Sequence, residues 1–481
     1  MLIRQIMDEK LAQYAFLVGC QKTGEAIVVD PERDVDRYLD AAAREGLRIV
    51  AAAETHIHAD FLSGVRELSA RVPGLRVYLS DEGDASWKYE WPNADRANVT
   101  WLTDGATFRV GNIEFRTFHT PGHTPEHVAF AVIDRGGGAS EPMGMLTGDF
   151  VFVGDLGRPD LLESAAGVIG AREPAARDLY ASTRRFLELP DFLQVWPAHG
   201  AGSACGKALG AVPVSTVGYE RRVSPAIAAS DRGEQPFVDY ILAGQPEPPL
   251  YFATMKRLNK SGAPILGTLP VPAKLTAADM ASVATDASVQ IVDTRADRQA
   301  FFRGHVPRSF YAPVNKAFPT VIGSFLDPEK RIVLLIDEAR VDEAVRALIR
   351  IGYDKVSGWA PVSTIDELRA QGVALDRIES IDFEEFERRR SERPLNVLDV
   401  RGASEYAERH VPNALNIAHT RLRARLAEVG RGAPVYVHCQ SGARAAASAA
   451  LLAREGIDVV DVDGSFAGWQ ARANVPSQAG S

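Results

Sequence analysis

Cysteine is scarce in this chain: three in 481 residues, at Cys20, Cys205 and Cys439. Three widely spaced thiols build no disulfide framework and lack the spacing of a metal cluster, so each has to be judged singly. A reducing cytoplasm is the expected setting. Long hydrophobic runs are missing too, since no apolar stretch approaches the roughly 18 residues of a membrane span. Residues 11–20 are apolar, but Asp8, Glu9 and Lys10 precede them and no cleavage-site pattern follows, so no secretory signal is expected. Positive charge is in deficit, with 54 Lys and Arg against 63 Asp and Glu and a net charge of −9. A nucleic-acid partner would favour a basic face and is not expected. A 46% hydrophobic, 24% charged composition is ordinary for a globular protein, and at about 150 residues per domain the length suggests three domains.

Through residue 255, strand-like runs (26–30, 49–53, 128–133) alternate with helical ones (34–45, 62–72), and Gly46 stands where a helix C-cap belongs. Residues 256–275 include Gly262, Pro264, Gly267, Pro270 and Pro272 and are expected to be a linker. Between the run 49–53 and the helical pattern at 62–72 comes Glu54-Thr55-His56-Ile57-His58-Ala59-Asp60-Phe61. Two imidazoles at i and i+2, with a carboxylate two further on, converge only where the backbone is irregular, which is how loops on a rigid scaffold commonly present metal ligands. Further candidates follow in order: His123 in Pro121-Gly122-His123-Thr124, Asp149 in Thr147-Gly148-Asp149, and His199 in Pro197-Ala198-His199-Gly200.

This ordered set, His-x-His-x-Asp and then a distant His, Asp and His, resembles the metallo-β-lactamase superfamily. The resemblance implies an αββα sandwich. In dinuclear relatives such as glyoxalase II, a histidine directly follows the Asp of the motif; here that position is Phe61. His56, His123 and Asp149 remain as a 2-His-1-carboxylate set, which leaves three positions open and suits a single non-haem Fe(II). That combination resembles the persulfide dioxygenases. By that resemblance one iron per chain sits on His56, His123 and Asp149, while His58, Asp60 and His199 orient ligands and substrate. Gly157-Arg158-Pro159-Asp160 fits the same pattern, with Arg158 expected to brace the metal loop, and His119 and His127 read as structural. Cys205, six residues past His199, is either a sulfur acceptor or a packed small residue. Cys20 reads as core.

An internal repeat occupies the rest. Val289-Gln290-Ile291-Val292-Asp293-Thr294-Arg295 is echoed by Leu395-Asn396-Val397-Leu398-Asp399-Val400-Arg401, and Gly304-His305-Val306-Pro307 by Arg409-His410-Val411-Pro412. Ser357-Gly358-Trp359 is likewise paired with Ala467-Gly468-Trp469. Both copies read as parallel α/β units. Asp-x-Arg followed by His-x-Pro and a buried strand resembles the rhodanese family, over 276–375 and 376–481. In the second copy Cys439-Gln440-Ser441-Gly442-Ala443-Arg444 lies between a strand and an alanine-rich helix, where backbone N–H groups and the helix dipole favour a thiolate. The six residues match the sulfurtransferase loop, which implies that Cys439 carries a persulfide. Gln440, Ser441, Gly442 and Ala443 then form its cradle, and Arg444 offsets its charge. The first copy has Asp337-Glu338-Ala339-Arg340 there and no thiol, and is expected to be catalytically silent.

The order of these parts resembles multidomain persulfide dioxygenase–sulfurtransferases of sulfide detoxification. The implied partners are a small-molecule thiol persulfide, O₂ and sulfite or thiosulfate, with no nucleic acid or membrane; homo-oligomerisation stays open. The competing readings are a zinc thioester hydrolase of the glyoxalase II type with an appended rhodanese, and a non-catalytic sulfur carrier that uses Cys439 alone.

Overall fold

A computed structural model describes residues 1–164 and 167–472. The chain divides into two units, Met1–Thr268 with Ile349–Gly352, and Leu269–Leu348 with the residues from Tyr353 onward. The end of the expected 376–481 domain, beyond residue 472, lies outside the described residues.

The first unit holds two six-stranded sheets. One runs β1 (Leu2–Asp8), β2 (Gln13–Cys20), β3 (Glu25–Val29), β4 (Arg48–Ala53), β5 (Arg76–Ser80), β6 (Val99–Leu102) in spatial order. The other contains β7 (Thr107–Val110), β8 (Ile113–His119), β9 (Val128–Asp134), β10 (Gly144–Gly148), β11 (Gln194–Pro197) and β12 (Ser215–Thr216), in the order β12-β11-β10-β9-β8-β7. Side chains alternate across a strand, so β2 can feed two cores. Phe16 and Val18 pack with Phe115, Phe130 and Leu146 between the sheets, while Ala15 and Leu17 pack outward with Tyr38 and Leu68. Burial on both faces explains why β2 runs apolar from Tyr14 to Cys20. Tyr38 and Leu68 belong to helices Asp36–Arg44 and Val65–Arg71, inside the expected helical stretches, and Gly46 takes φ +67° behind the first. On the second sheet's outer face, Leu179 and Phe186 of helix Arg172–Phe186 join Phe237 and Ile241 of helix Glu234–Leu242. This is the expected αββα sandwich.

Parallel pairing of β3 with β4 and of β10 with β11 brings strand C-termini together. Asp30, the His56 loop, Asp149 and His199 follow β3, β4, β10 and β11 in turn. The crevice beyond such carboxyl ends is where α/β sheets place ligands.

The second unit holds two five-stranded sheets. The first consists of β13 (Ala273–Lys274), β14 (Val289–Asp293), β15 (Phe310–Tyr311), β16 (Arg331–Leu335) and β17 (Val356–Ala360), ordered β13-β17-β16-β14-β15. The other has β18 (Glu379–Asp382), β19 (Asn396–Asp399), β20 (Leu415–Asn416), β21 (Val435–His438) and β22 (Val459–Asp463), ordered β18-β22-β21-β19-β20. Every pairing in both is parallel, and the orders are the same when counted from each copy's first strand. The repeated motifs prove to be structural. Asp293 binds the Arg295 guanidinium as Asp399 binds that of Arg401, and Arg295 and Arg401 each cap a backbone carbonyl, of Gly304 and Arg409. His305 and His410 stack on Phe301 and Tyr406 and bond the carbonyls of those residues.

Two expectations need correcting. The stretch 256–275 does not open as a linker, because helix Phe252–Ser261 runs into it and the Asn259 amide holds the carbonyls of His58 and Phe61 at 2.8 and 2.7 Å. The pairing of Ser357-Gly358-Trp359 with Ala467-Gly468-Trp469 also fails. The first lies in β17 and the second in helix Phe466–Arg472, and the strand equivalent to β17 is β22.

Candidate functional site

The His56 loop leaves β4 fully buried and is fixed by groups far away in sequence. Asp30 accepts from the Thr55 N–H at 2.7 Å and from Thr55 Oγ1 at 3.0 Å, and Thr55 Oγ1 lies 3.0 Å from His56 Nδ1. His56 Nε2 is left for the site. His58 instead turns Nε2 to Asp30 at 3.1 Å. Burial alone would lower the His58 imidazole, but the Asp30 carboxylate and its hydrogen bond raise it to about 9.

His123 is presented after β8 by Gly122, at φ +144°, where a Cβ would fall 2.5 Å from Leu179 Cβ. His123 Nδ1 is 3.2 Å from the Arg158 carbonyl, and Nε2 is 3.5 Å from Asp149 Oδ2. Asp149 follows Gly148, which takes φ +54° between Thr55 and His127. The Asp149 N–H donates to His127 Nε2 at 3.0 Å, while His127 Nδ1 meets Thr120 Oγ1 at 2.7 Å. His127 therefore spends both ring nitrogens on structure, and His119 spends its Nε2 on the Pro125 carbonyl at 2.8 Å. A Cβ on Gly148 would lie 2.6 Å from both Thr55 Oγ1 and His127 Nε2. Gly148→Ala is expected to cost about 2 kcal/mol or more and to displace Asp149. It should lower both the melting temperature and the metal content; wild-type values for both would contradict this.

One donor atom each from His56, His123 and Asp149 lies within 4.8 Å of the others. Both Asp149 carboxylate oxygens are buried without a hydrogen-bond partner. A buried carboxylate in this state costs several kcal/mol unless a cation meets it. Burial, then the Lys256 charge, pushes His123 down to about 3, and burial holds His56 well below its usual value. Both imidazoles are therefore neutral, the form that ligates metal. Burial pushes Asp149 up to about 6. The donor set fits a metal ion.

Asp60 and His199 stand beside it, with His199 Nε2 at 3.3 Å from Asp60 Oδ2 and 3.4 Å from Asp149 Oδ1, and Nδ1 at 3.2 Å from the Ala12 carbonyl. Cys205 joins them, its sulfur within 4.8 Å of donor atoms of Asp60 and His199. Burial, then the carboxylates of Asp60 and Asp149, pushes its thiol well up. Arg158 is fully buried. It pairs with Asp160 through two nitrogens, at 2.9 and 2.5 Å, and donates to the carbonyls of Ala204 at 3.0 Å and Pro246 at 2.7 Å. It ties the His123 loop to the segment bearing Cys205. Cys20 is buried in the core between the sheets.

The second site is the loop after β21. Gly442, at φ +88°, turns its N–H onto Cys439 Sγ at 3.2 Å and caps helix Ala443–Arg454. Gln440 is anchored by the Phe466 N–H, which donates to its carbonyl at 3.1 Å. Arg444 has the Cys439 thiol among its neighbours, but its guanidinium makes a two-point ion pair with Glu405 at 2.6 and 2.8 Å. Its charge is therefore shared between Glu405 and the Cys439 sulfur. In the first copy Asp337 precedes a single turn, Glu338–Arg340, and Glu338 pairs with Lys274 at 2.8 Å on the surface. Asp337→Ala or Glu338→Ala is expected to leave sulfur transfer within about twofold of wild type, the range of an exposed change. A large rate loss in a folded variant would contradict the silence of this turn.

Sequence reasoning had not singled out Asp30, Asn259 or Glu405. Asp30 alone had a local signal, a carboxylate directly after an apolar strand.

The Metallo-beta-lactamase superfamily model matches residues 9–199, and the Rhodanese-like domain model matches residues 382–472. The solved structure of a metallo-beta-lactamase from Staphylococcus aureus subsp. aureus COL is 38% identical, covers 75% of this chain and 99% of its own, and superposes with a TM-score of 0.66. The chain belongs to the metallo-β-lactamase superfamily. It joins that domain to a C-terminal rhodanese-like domain. The mitochondrial persulfide dioxygenase of Bos taurus is 28% identical over 233 residues, 48% of this chain and 77% of the relative. A hydroxyacylglutathione hydrolase from Gloeobacter violaceus is 32% identical over 190 residues, 39% of this chain and 63% of the relative. Superfamily membership and the buried His/Asp donors mark the first unit as metal-binding, and the similarity to a persulfide dioxygenase together with the rhodanese-like domain supports an enzyme of the sulfur-metabolism kind. Among the described residues no helix is long and apolar enough to cross a membrane.

Proposed function

We propose that this chain is a non-haem iron persulfide dioxygenase joined to a sulfurtransferase, turning small-thiol persulfides into sulfite and thiosulfate. The observation that carries the reading is the division of labour in the His56 loop. His58 is spent on Asp30 and Phe61 replaces the next donor, so His56, His123 and Asp149 remain to hold one ion with open positions. When bound, Fe(II) supplies the redox chemistry of RSSH + O₂ + H₂O → RSH + SO₃²⁻ + 2H⁺. Around it the chain's own groups fix geometry. Thr55 orients His56, His127 holds the Asp149 backbone, and Arg158 braces His123. Such outer partners are commonly worth 10–100-fold in affinity or activity.

Cys439 supplies the second half. Its thiol takes the outer sulfur of thiosulfate, Cys–SH + S₂O₃²⁻ → Cys–SSH + SO₃²⁻, and the reverse step returns that sulfur to sulfite. The Gly442 N–H donates to Cys439 Sγ in the free thiol and is placed to meet the same sulfur in the persulfide. Sulfite is the product of the first site and the acceptor at the second, which gives the fusion a chemical reason.

One observation favours the hydrolase reading. Asp60, His199 and Cys205 also bring donor atoms within 4.8 Å of one another, a place for a second ion. Two substrates separate the readings. Glutathione persulfide should drive oxygen uptake with sulfite and thiosulfate as products, and S-lactoylglutathione should not be hydrolysed. Hydrolysis without oxygen uptake would replace the dioxygenase with a thioester hydrolase, and neither activity would leave a sulfur carrier.

A further inference from the structure

The rhodanese-like copy without a nucleophile reaches the loop of the copy that has one. Arg298 is the first residue of helix Arg298–Arg303 in the first copy, held there by Asp297, which caps the N–H groups of Gln299 and Ala300. Its guanidinium donates to Asp463 Oδ1 at 2.5 Å, at the end of β22 in the second copy. Gln299 beside it donates to Asp463 Oδ2 at 2.9 Å and to Ser380 Oγ at 3.0 Å. This pair lies directly against the Cys439 loop. A Cβ on Gly442 would fall 2.5 Å from Asp463 Oδ1 and 2.8 Å from an Arg298 nitrogen. Gly442 is the residue whose N–H donates to Cys439 Sγ.

The placement poses an electrostatic problem. The loop has to stabilise a sulfur anion, yet the Asp463 carboxylate lies against its Gly442 turn. Arg444 is already shared with Glu405. Arg298 is the cation that meets Asp463. We propose that Arg298 is a positioning residue for Cys439: it neutralises Asp463 beneath the Gly442 turn and so keeps the loop fit for an anionic sulfur. The first copy, silent at its own Asp337 turn, is then required for sulfur transfer at the second.

The proposal rests on Cys439 as a sulfur carrier, and the test keeps the two apart by reading the loop in two ways on the full chain. Sulfur transfer is measured with thiosulfate as donor and cyanide as acceptor. Alkylation of Cys439 by iodoacetamide, followed by peptide mass, reports the thiolate whether or not sulfur is transferred. Arg298→Gln should lower kcat/KM for thiosulfate by roughly 10-fold, within the range of coupled charge pairs, and should slow alkylation of Cys439. Arg298→Lys keeps the charge and should restore most of both. Arg298→Gln combined with Asp463→Asn removes the stranded carboxylate and should also recover most of the loss. A merely structural role would make that double variant worse. Wild-type rates in Arg298→Gln, or a double variant no better than the single, would overturn the assignment. A wild-type chain that alkylates at Cys439 but transfers no sulfur would sink the sulfurtransferase reading alone, and the alkylation series would still decide the role of Arg298.

Discussion

Cys439→Ser is expected to divide the reaction, leaving oxygen uptake in place while sulfite accumulates instead of thiosulfate. A hydroxyl keeps the size of the loop and can still receive the Gly442 N–H, but it cannot carry sulfane sulfur. Transfer from thiosulfate to cyanide should fall by on the order of a thousandfold or more, as when a nucleophile is removed elsewhere. Oxygen uptake should stay near wild type, because every group around His56, His123 and Asp149 is untouched. Sulfite also couples with excess persulfide without a catalyst, so products must be compared at limiting persulfide against a no-enzyme control. Thiosulfate at wild-type yield would sink the relay and move attention to Cys205, whose sulfur is already grouped with Asp60 and His199.

His123→Ala should produce the complementary loss. Outer partners of a metal ligand already cost 10–100-fold, so deleting a ligand should reduce oxygen uptake by about 100-fold or more and empty the site of metal. Sulfur transfer to cyanide should persist, since the Cys439 loop is built from β21, helix Ala443–Arg454 and Arg298, all in the other unit. Loss of both activities in a folded variant would mean that the two sites do not work separately.

The grouping of His56, His123 and Asp149 was legible in the sequence because His, Asp and Gly-rich turns in a set order have few other uses, and the structure brings the three donors within 4.8 Å of one another. What fixes them was not legible. Asp30 acts on Thr55, Asn259 on His58 and Phe61, and Arg158 on Ala204 and Pro246, each across a long stretch of chain that no local pattern encodes. The repeat was visible through its Asp-x-Arg and His-x-Pro motifs because those residues hold the same backbone contacts in each copy. Shared Gly-Trp pairs misled, since Trp359 lies in a strand and Trp469 in a helix. The helix across 256–261 was masked by the glycines and prolines that follow it. Arg444 was legible as a partner for the sulfur, and only the fold shows that it is shared with Glu405.

The most direct test of the iron assignment is the metal content of the chain purified without added metal and then reconstituted anaerobically with Fe(II) or Zn(II). One iron per chain is expected, with oxygen uptake on glutathione persulfide that scales with iron occupancy and disappears in the zinc form. About two zincs per chain, with S-lactoylglutathione hydrolysed and no iron-dependent oxygen uptake, would contradict it.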